Sequence, residues 1–218
     1  MLAMSATKPI TVYVLGGGPN PFKVLITLEE LGIPYEKVQV DDVKSEAFLK
    51  LNPNGRAPVI VDPNNDNFTL WESGAIVEYL VETYDIHNHL TLEDRKSKWL
   101  LQQYLHFQMS GQGPYYGQAV WFYRQTEDIP TAKQRYIEQV LRVFGVLDNI
   151  LKDREYLVGG KFTYADLSFI PWNRVALEAP FFKDGLWETH EIRKRFPRFL
   201  AWYERLNARP SVKAAYGA

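Results

Sequence analysis

Residues 52–80, NPNGRAPVIVDPNNDNFTLWESGAIVEYL, decide the fold. Pro58–Val61 (PVIV) is rich in β-branched residues and predicts a strand. Asp62–Asn67 (DPNNDN) is a run of turn formers. Phe68–Trp71 reads as a second strand, so the pair forms a tight β-turn-β hairpin. Ser73–Tyr84 follows as a helix, with Ala75, Ile76, Tyr79 and Leu80 on one face. On the other side, Asn52-Pro53-Asn54-Gly55 closes a short helix or turn at Ser45–Leu51.

Toward the N-terminus, Ile10–Leu15 (ITVYVL) predicts a strand and GGGPN a turn. Phe22–Leu31 predicts a helix with Phe22, Leu25, Leu28 and Leu31 in register and Gly32 as its stop. Tyr35–Val40 is another strand. The order is β-α-β, then α-β-β-α. A βαβ unit implies parallel pairing and the later hairpin antiparallel pairing, so the expectation is a small mixed sheet of the thioredoxin-like type.

Beyond residue 85 the pattern turns helical, around Glu93–Gln112, Ala132–Leu151, Tyr164–Asn173 and Phe199–Asn207, with Gly111–Gly117 (GQGPYYG) interrupting the first. The expected organisation is an N-terminal extension at 1–8, a thioredoxin-like domain at 9–84, a linker at 85–92 and an all-helical domain at 93–218. The chain has 218 residues, 46% hydrophobic and 23% charged, within the range of a globular protein with a sizeable core. With no cysteine, a disulfide framework, a CxxC pair and a cysteine nucleophile are excluded. A net charge of −1 suggests neither a nucleic-acid nor an anionic-membrane surface. No apolar run approaches the roughly 18 residues of a membrane span, and no secretory signal is visible. A cytoplasmic protein is expected.

Several residues carry local chemistry. Gly16–Gly18 lacks the spacing of a phosphate loop and reads as a turn. In Pro19-Asn20-Pro21, Pro21 fits the first helical position and Asn20 the N-cap. A helix N-terminus attracts anions and lowers a thiol's pKa there. The Asn amide donates two hydrogen bonds but has no useful basicity, so it stabilises a thiolate without acting as a base. Ala57-Pro58, between a turn and a strand, is a candidate cis bond. Ser73 is expected to cap the next helix, with Glu72 just outside it, placed to meet a cation. Thr163-Tyr164-Ala165-Asp166 is a capping box, flanked by the staple pair Phe162 and Leu167, and reads as structural. His87, His89, His106 and His190 form no metal pattern, and no metal is expected.

NPNGRAPVI, LWESGAIVEYL and FTYADLSFIPWN, in this order and at these distances, resemble the glutathione transferase family along nearly the whole chain. PNPFKV, NPNGRAP, WESGAI and FIPWN are most similar to its fungal nitrogen-regulator branch, the relatives of the yeast prion protein. The Asn/Gln-rich prion extension is absent from this sequence. That branch has Asn near the first helix where other classes have Tyr, Ser or Cys, and Asn20 matches it.

The resemblance implies a glutathione site. Glu72 would pair with the tripeptide's amine, and Ser73 with its helix would hold the γ-glutamyl carboxylate. Ala57, next to cis Pro58, would present its main chain to the cysteinyl part. Arg56 or Lys44 would meet the glycyl carboxylate, and Asn20 would donate to the sulfur as the catalytic residue. An apolar co-substrate would meet Tyr115, Tyr116, Trp121, Phe122, Tyr123 and Asn173. The implied activity is transfer of glutathione to hydrophobic electrophiles. The alternatives are a glutathione-dependent peroxidase acting on organic hydroperoxides, and a non-catalytic carrier or regulator. A homodimer is implied as well.

Overall fold

The structure, a computed structural model, describes residues 7–180 and 186–217. Residues 1–6 of the expected extension lie outside them. The described chain forms two compact units.

In the first unit, β1 (Ile10–Val14) buries Ile10, Val12 and Val14 on one face and exposes Thr11 and Tyr13 partly on the other. It pairs in parallel with β2 (Tyr35–Gln39), from Ile10↔Tyr35 to Val14↔Gln39. It pairs antiparallel with β3 (Val59–Asp62), and β3 pairs antiparallel with β4 (Phe68–Trp71). The sheet order is β2-β1-β3-β4, the mixed thioredoxin-like arrangement. Helix α1 (Pro19–Leu31) makes the parallel crossover and stops at Gly32, whose φ of 63° is the left-handed C-cap glycine favours. A short helix α2 (Glu46–Leu51) precedes β3, and α3 (Ser73–Tyr84) follows β4.

Asp62 locks the hairpin to α3. Its buried carboxylate accepts the hydroxyls of Tyr79 and Tyr84 at 2.6 and 2.5 Å and the main-chain N–H of Asn64 at 2.8 Å. The linker is a built turn, because Asp85 accepts the N–H groups of His89 and Leu90 at 2.6 and 2.7 Å.

The second unit comprises Thr91–Arg209. Helix α4 (Arg95–Phe107) is capped by Asp94, which accepts from Ser97 N at 2.9 Å. A π-helical turn at Gln108–Gln112 leads into α5 (Gly113–Arg124). The glycine-rich segment expected to interrupt the helix begins within this π-turn, and Trp172 packs against two of its glycines. A Cβ at Gly113 or Gly117 would lie 3.3 and 3.2 Å from its ring. Helix α6 (Pro130–Ile150) and α7 (Tyr164–Glu178) form the core with α10 (Pro197–Asn207), and two single-turn helices, α8 (Leu186–Thr189) and α9 (Ile192–Arg195), precede α10. Helix α7 runs through Pro171, five residues past its expected end at Asn173.

The last helix, α11 (Pro210–Tyr216), packs on α1 of the first unit. Tyr216 stacks on Phe22 with ring centroids 4.0 Å apart, and Ser211 donates to Glu30. The domain limits expected from the sequence follow chain order, whereas packing returns this helix to the first unit. Among the described residues, no helix is long and apolar enough to cross a membrane.

Candidate functional site

Strand register creates the site. Tyr13 of β1 pairs with Val59 of β3, and Val59 pairs with Trp71 of β4. These three residues form one row across the sheet. The chain leaves β1 just beyond this row, toward the α1 start. It enters β3 just before the row, from Ala57-Pro58. It leaves β4 just after the row, into Glu72-Ser73. Three segments distant in sequence thus share one end of the sheet.

At the first segment, α1 begins earlier than its sequence suggests. Gly18 holds the N-cap position, so Asn20 lies within the first turn rather than capping it. The reason is the preceding proline: Pro19, like Pro21, has a φ fit for a first turn and needs no N–H partner there. Prolines therefore remove two first-turn donors, and Gly18 N donates to Leu15 O at 3.3 Å. Asn20 supplies the remaining main-chain donor of that turn and a half-buried side-chain amide.

At the second segment the Ala57-Pro58 bond is cis, as expected. Its approach is fixed by Asn52, a buried residue that nothing sets apart from the other turn formers of NPNG in the sequence. Asn52 Nδ2 donates to Arg56 O at 2.6 Å, and its Oδ1 accepts from Asn54 N at 2.9 Å. Lys44 Nζ donates to Asn54 O at 3.1 Å. Lys44 and exposed Arg56 thus flank one turn, with two donors of the ammonium to spare.

At the third segment, Glu72 rather than Ser73 holds the N-cap of α3, and it makes no side-chain cap bond. Ser73 is the first helical residue and is buried. Glu72 is exposed, at φ 72° and ψ 111°, a region costing a non-glycine residue about 1–3 kcal/mol. Such strain concentrates at functional sites. The first turn of α3 retains its main-chain donors, which suit a carboxylate.

Sequence reasoning also missed Lys23. It lies three residues after Asn20, on the same helix face, and is wholly buried. Burial draws its ammonium down to about 7, and the Glu72 carboxylate opposes that fall. The signal was a lone lysine in the apolar run PFKVLI.

In the second unit the six expected co-substrate residues do not share one surface. Tyr116 and Asn173 are buried in the core, Tyr116 edge-on to Phe144 and Asn173 accepting from Gln112 Nε2 at 2.6 Å. Phe122 stacks on Tyr136 at 5.3 Å, Tyr115 lies 6.4 Å from the same ring, and Tyr123 sits under Lys133. Trp121 is 51% exposed. The capping box of Thr163 and Asp166 forms. Among the described residues, no group of three or more His, Asp or Glu could hold a metal ion.

A mixed four-stranded sheet with a cis-proline at the head of a central strand, followed in the chain by a helical unit, defines a two-unit protein of the thioredoxin-like class. Residues 8–82 match the glutathione S-transferase N-terminal domain, and residues 117–210 match the C-terminal domain. The chain belongs to the glutathione transferase family. Among its relatives, glutathione S-transferase 2 of Schizosaccharomyces pombe is 45% identical, over 94% of each chain. The glutathione transferase URE2P6 from Phanerochaete chrysosporium, solved in complex with oxidized glutathione, is 41% identical with a TM-score of 0.89, over 98% of this chain and 97% of its own. Ure2p5 from the same fungus, cocrystallized with 1-(S-glutathionyl)-2,4-dinitrobenzene, is 38% identical with a TM-score of 0.88, over 98% of this chain and 95% of its own.

Proposed function

We propose that this protein binds glutathione and transfers it to hydrophobic electrophiles. What supports the reading is the strand register, which brings the loop leading to Asn20, the cis Ala57-Pro58 bond and Glu72-Ser73 to the same end of the sheet. Glutathione presents a cationic amine, two carboxylates and a thiol, and each has a matching group there. Glu72 takes the amine. The first turn of α3, from Ser73, takes the γ-glutamyl carboxylate. Ala57 offers its main chain to the cysteinyl residue as an added strand. Lys44 and Arg56, on one turn, take the glycyl carboxylate.

Asn20 donates to the sulfur. A free thiol has a pKa of about 8.5 and is mostly protonated at neutral pH. Each unit of depression corresponds to about 1.36 kcal/mol of preference for the anion. One amide hydrogen bond and a helix terminus together supply roughly one to two units. The thiol proton leaves to solvent, since the amide accepts none. The sulfur lone pair then forms a bond to an electrophilic carbon: from an aryl halide the halide departs with its bonding electrons, and with an isothiocyanate the C=N π pair moves to nitrogen, which takes a proton from solvent. That Ure2p5 was cocrystallized with a glutathionyl dinitrobenzene supports a conjugating reading. For the co-substrate we propose the aromatic surface of α5 around exposed Trp121, which meets Phe122 edge-on at 4.8 Å; Tyr115 and Tyr123 lie on other faces of the helix, and Tyr116 and Asn173 are core residues. The same reading carries a cytoplasmic homodimer, whose dimerisation sedimentation at micromolar concentration decides.

The test is retention on immobilised glutathione, followed by turnover with an aryl halide, an isothiocyanate and cumene hydroperoxide. Retention with saturable turnover of the halide or isothiocyanate is expected. Turnover of the hydroperoxide alone would make the protein a peroxidase. Retention without any turnover would make it a carrier, and no retention would reject the site.

A further inference from the structure

Lys23 is among the largest side chains in the described chain with no exposure at all. Lysine is almost never fully buried unless paired. It sits one turn after Asn20, and side chains on a helix tilt toward its N-terminus, so its stem is directed toward the Asn20 turn. The Glu72 carboxylate acts on it from the head of α3, which packs against α1. Glu72 itself is exposed and held at a positive φ. Such a backbone persists only where its surroundings over-determine it.

We infer that Lys23 is a positioning residue, whose buried ammonium sets a positive charge behind Asn20 and acts through space on the Glu72 carboxylate at the head of α3. The inference rests on the proposed glutathione site. The other charged groups around α1 are otherwise engaged or solvated. On α1, Glu29 accepts the Tyr35 hydroxyl at 2.6 Å, and Glu30 meets His89 and Ser211. On α3, Glu82 is exposed and Glu78 lies more than a turn beyond Glu72; on α11, Lys213 is exposed; β1 carries no charge.

With its ammonium drawn down to about 7, Lys23 divides between charged and neutral forms near neutral pH. A bound thiolate and γ-glutamyl carboxylate favour the charged form. By linkage, the charged form favours the bound anion equally.

The test compares wild type with Lys23→Met and Lys23→Arg, by urea unfolding, separate KM values for glutathione and electrophile, and the thiolate absorbance of bound glutathione against pH. Lys23→Met is expected to unfold at an unchanged or higher urea concentration, since replacing a buried charge with an apolar group is often neutral or stabilising. Its glutathione KM should rise roughly tenfold at unchanged electrophile KM, and the thiol titration should move up by on the order of half to one pH unit. Lys23→Arg, which keeps the charge, should restore part of both. Unchanged glutathione KM and titration in Lys23→Met overturn the inference, as does a uniform loss of activity that tracks a loss of stability. If Lys23→Met does not fold, the side-chain NMR titration of Lys23 in Glu72→Gln decides. It should move below the wild-type value, and an unmoved titration refutes the coupling. Wild type that fails to hold glutathione removes the proposed function itself, an outcome distinct from an indifferent Lys23→Met.

Discussion

Asp166→Ala removes four hydrogen-bond contacts at once. In the folded chain, Asp166 Oδ1 accepts from Leu157 N at 2.9 Å and from Trp202 Nε1 at 3.0 Å. Its Oδ2 accepts from Thr163 N at 3.1 Å and Thr163 Oγ1 at 3.0 Å. The hydroxyl can rotate to another partner, but the three N–H donors are fixed and buried. Each unpaired buried donor costs about 1–3 kcal/mol. Against this stands the burial of the carboxylate, which pushes its pKa up to about 6 despite four donors. The net loss should be about 3–5 kcal/mol, a large part of the roughly 5–15 kcal/mol that holds a domain together. Asp166→Asn keeps an acceptor for Leu157 and Trp202 but turns an amide donor onto Thr163 N–H, so it should cost about 1–2 kcal/mol. Urea unfolding followed by near-ultraviolet circular dichroism measures both. The pH dependence adds a sign. A carboxyl whose folded pKa is raised from 3.8 to about 6 contributes stability that is whole below the lower value and lost as pH climbs through the upper. The margin of wild type over the Asn variant should therefore narrow between about pH 4 and pH 7. A loss below about 1 kcal/mol for Asp166→Ala, or equal losses for Ala and Asn, would refute the reasoning.

Asn20→Ala should move the acidic limb of the pH–rate profile for an aryl halide upward by about one unit. Its urea midpoint should hold, because the α1 cap position belongs to Gly18; an unchanged profile would remove Asn20 from the chemistry. Gly55→Ala should lower stability by about 1–2 kcal/mol, since Gly55 has φ 61°. Its new Cβ would meet Lys44 Nζ at 2.6 Å and Val43 O at 2.9 Å, so calorimetry should show weaker glutathione binding at this turn; an unaltered dissociation constant would detach Lys44 from the glycyl carboxylate.

The first unit was legible because its signals are local. Turn chemistry in DPNNDN and NPNG and β-branched runs fix strands almost independently of packing, and β4 and α3 fall where the pattern put them. Helix starts were less legible, because two residue types competed for each cap. At α1, a proline two residues ahead of Pro21 took the first helical position and moved Asn20 inward. At α3, Ser73 has the better capping side chain, yet the chain turns at Glu72 with a positive φ that no propensity scale anticipates. Lys23 and Asn52 act through burial, which a single sequence does not show. The apolar face read as Phe22, Leu25, Leu28 and Leu31 is instead buried from Lys23 to Leu28 all round, because α11 covers α1 from the far end of the chain. That contact joins residues almost the whole chain apart, and no local period encodes it.

The two helix starts at the site differ in a way that suits the two ends of the proposed ligand. The first turn of α3 keeps its main-chain N–H groups and has no side-chain cap, so it offers several donors to a carboxylate with two oxygens. The first turn of α1 is the opposite. Pro19 and Pro21 carry no N–H, and the Gly18 N–H is given to Leu15 O. A carboxylate bound there would find too few partners, whereas a single sulfur needs fewer. On this reading the prolines would select by subtraction: the peptide dipoles further along α1 remain, while the donors that would let an oxyanion compete for the sulfur's position are gone. The cost is weaker stabilisation of a thiolate, and an asparagine between the prolines, with a side chain that donates and does not ionise, returns part of it. On this argument the prolines and Asn20 act as one unit. Replacing Pro21 with alanine, which restores a main-chain donor at that turn, should strengthen binding of simple inorganic anions at the α1 start relative to glutathione. A Pro21→Ala protein whose glutathione-to-anion preference equals that of wild type would break the link between the missing donors and selectivity.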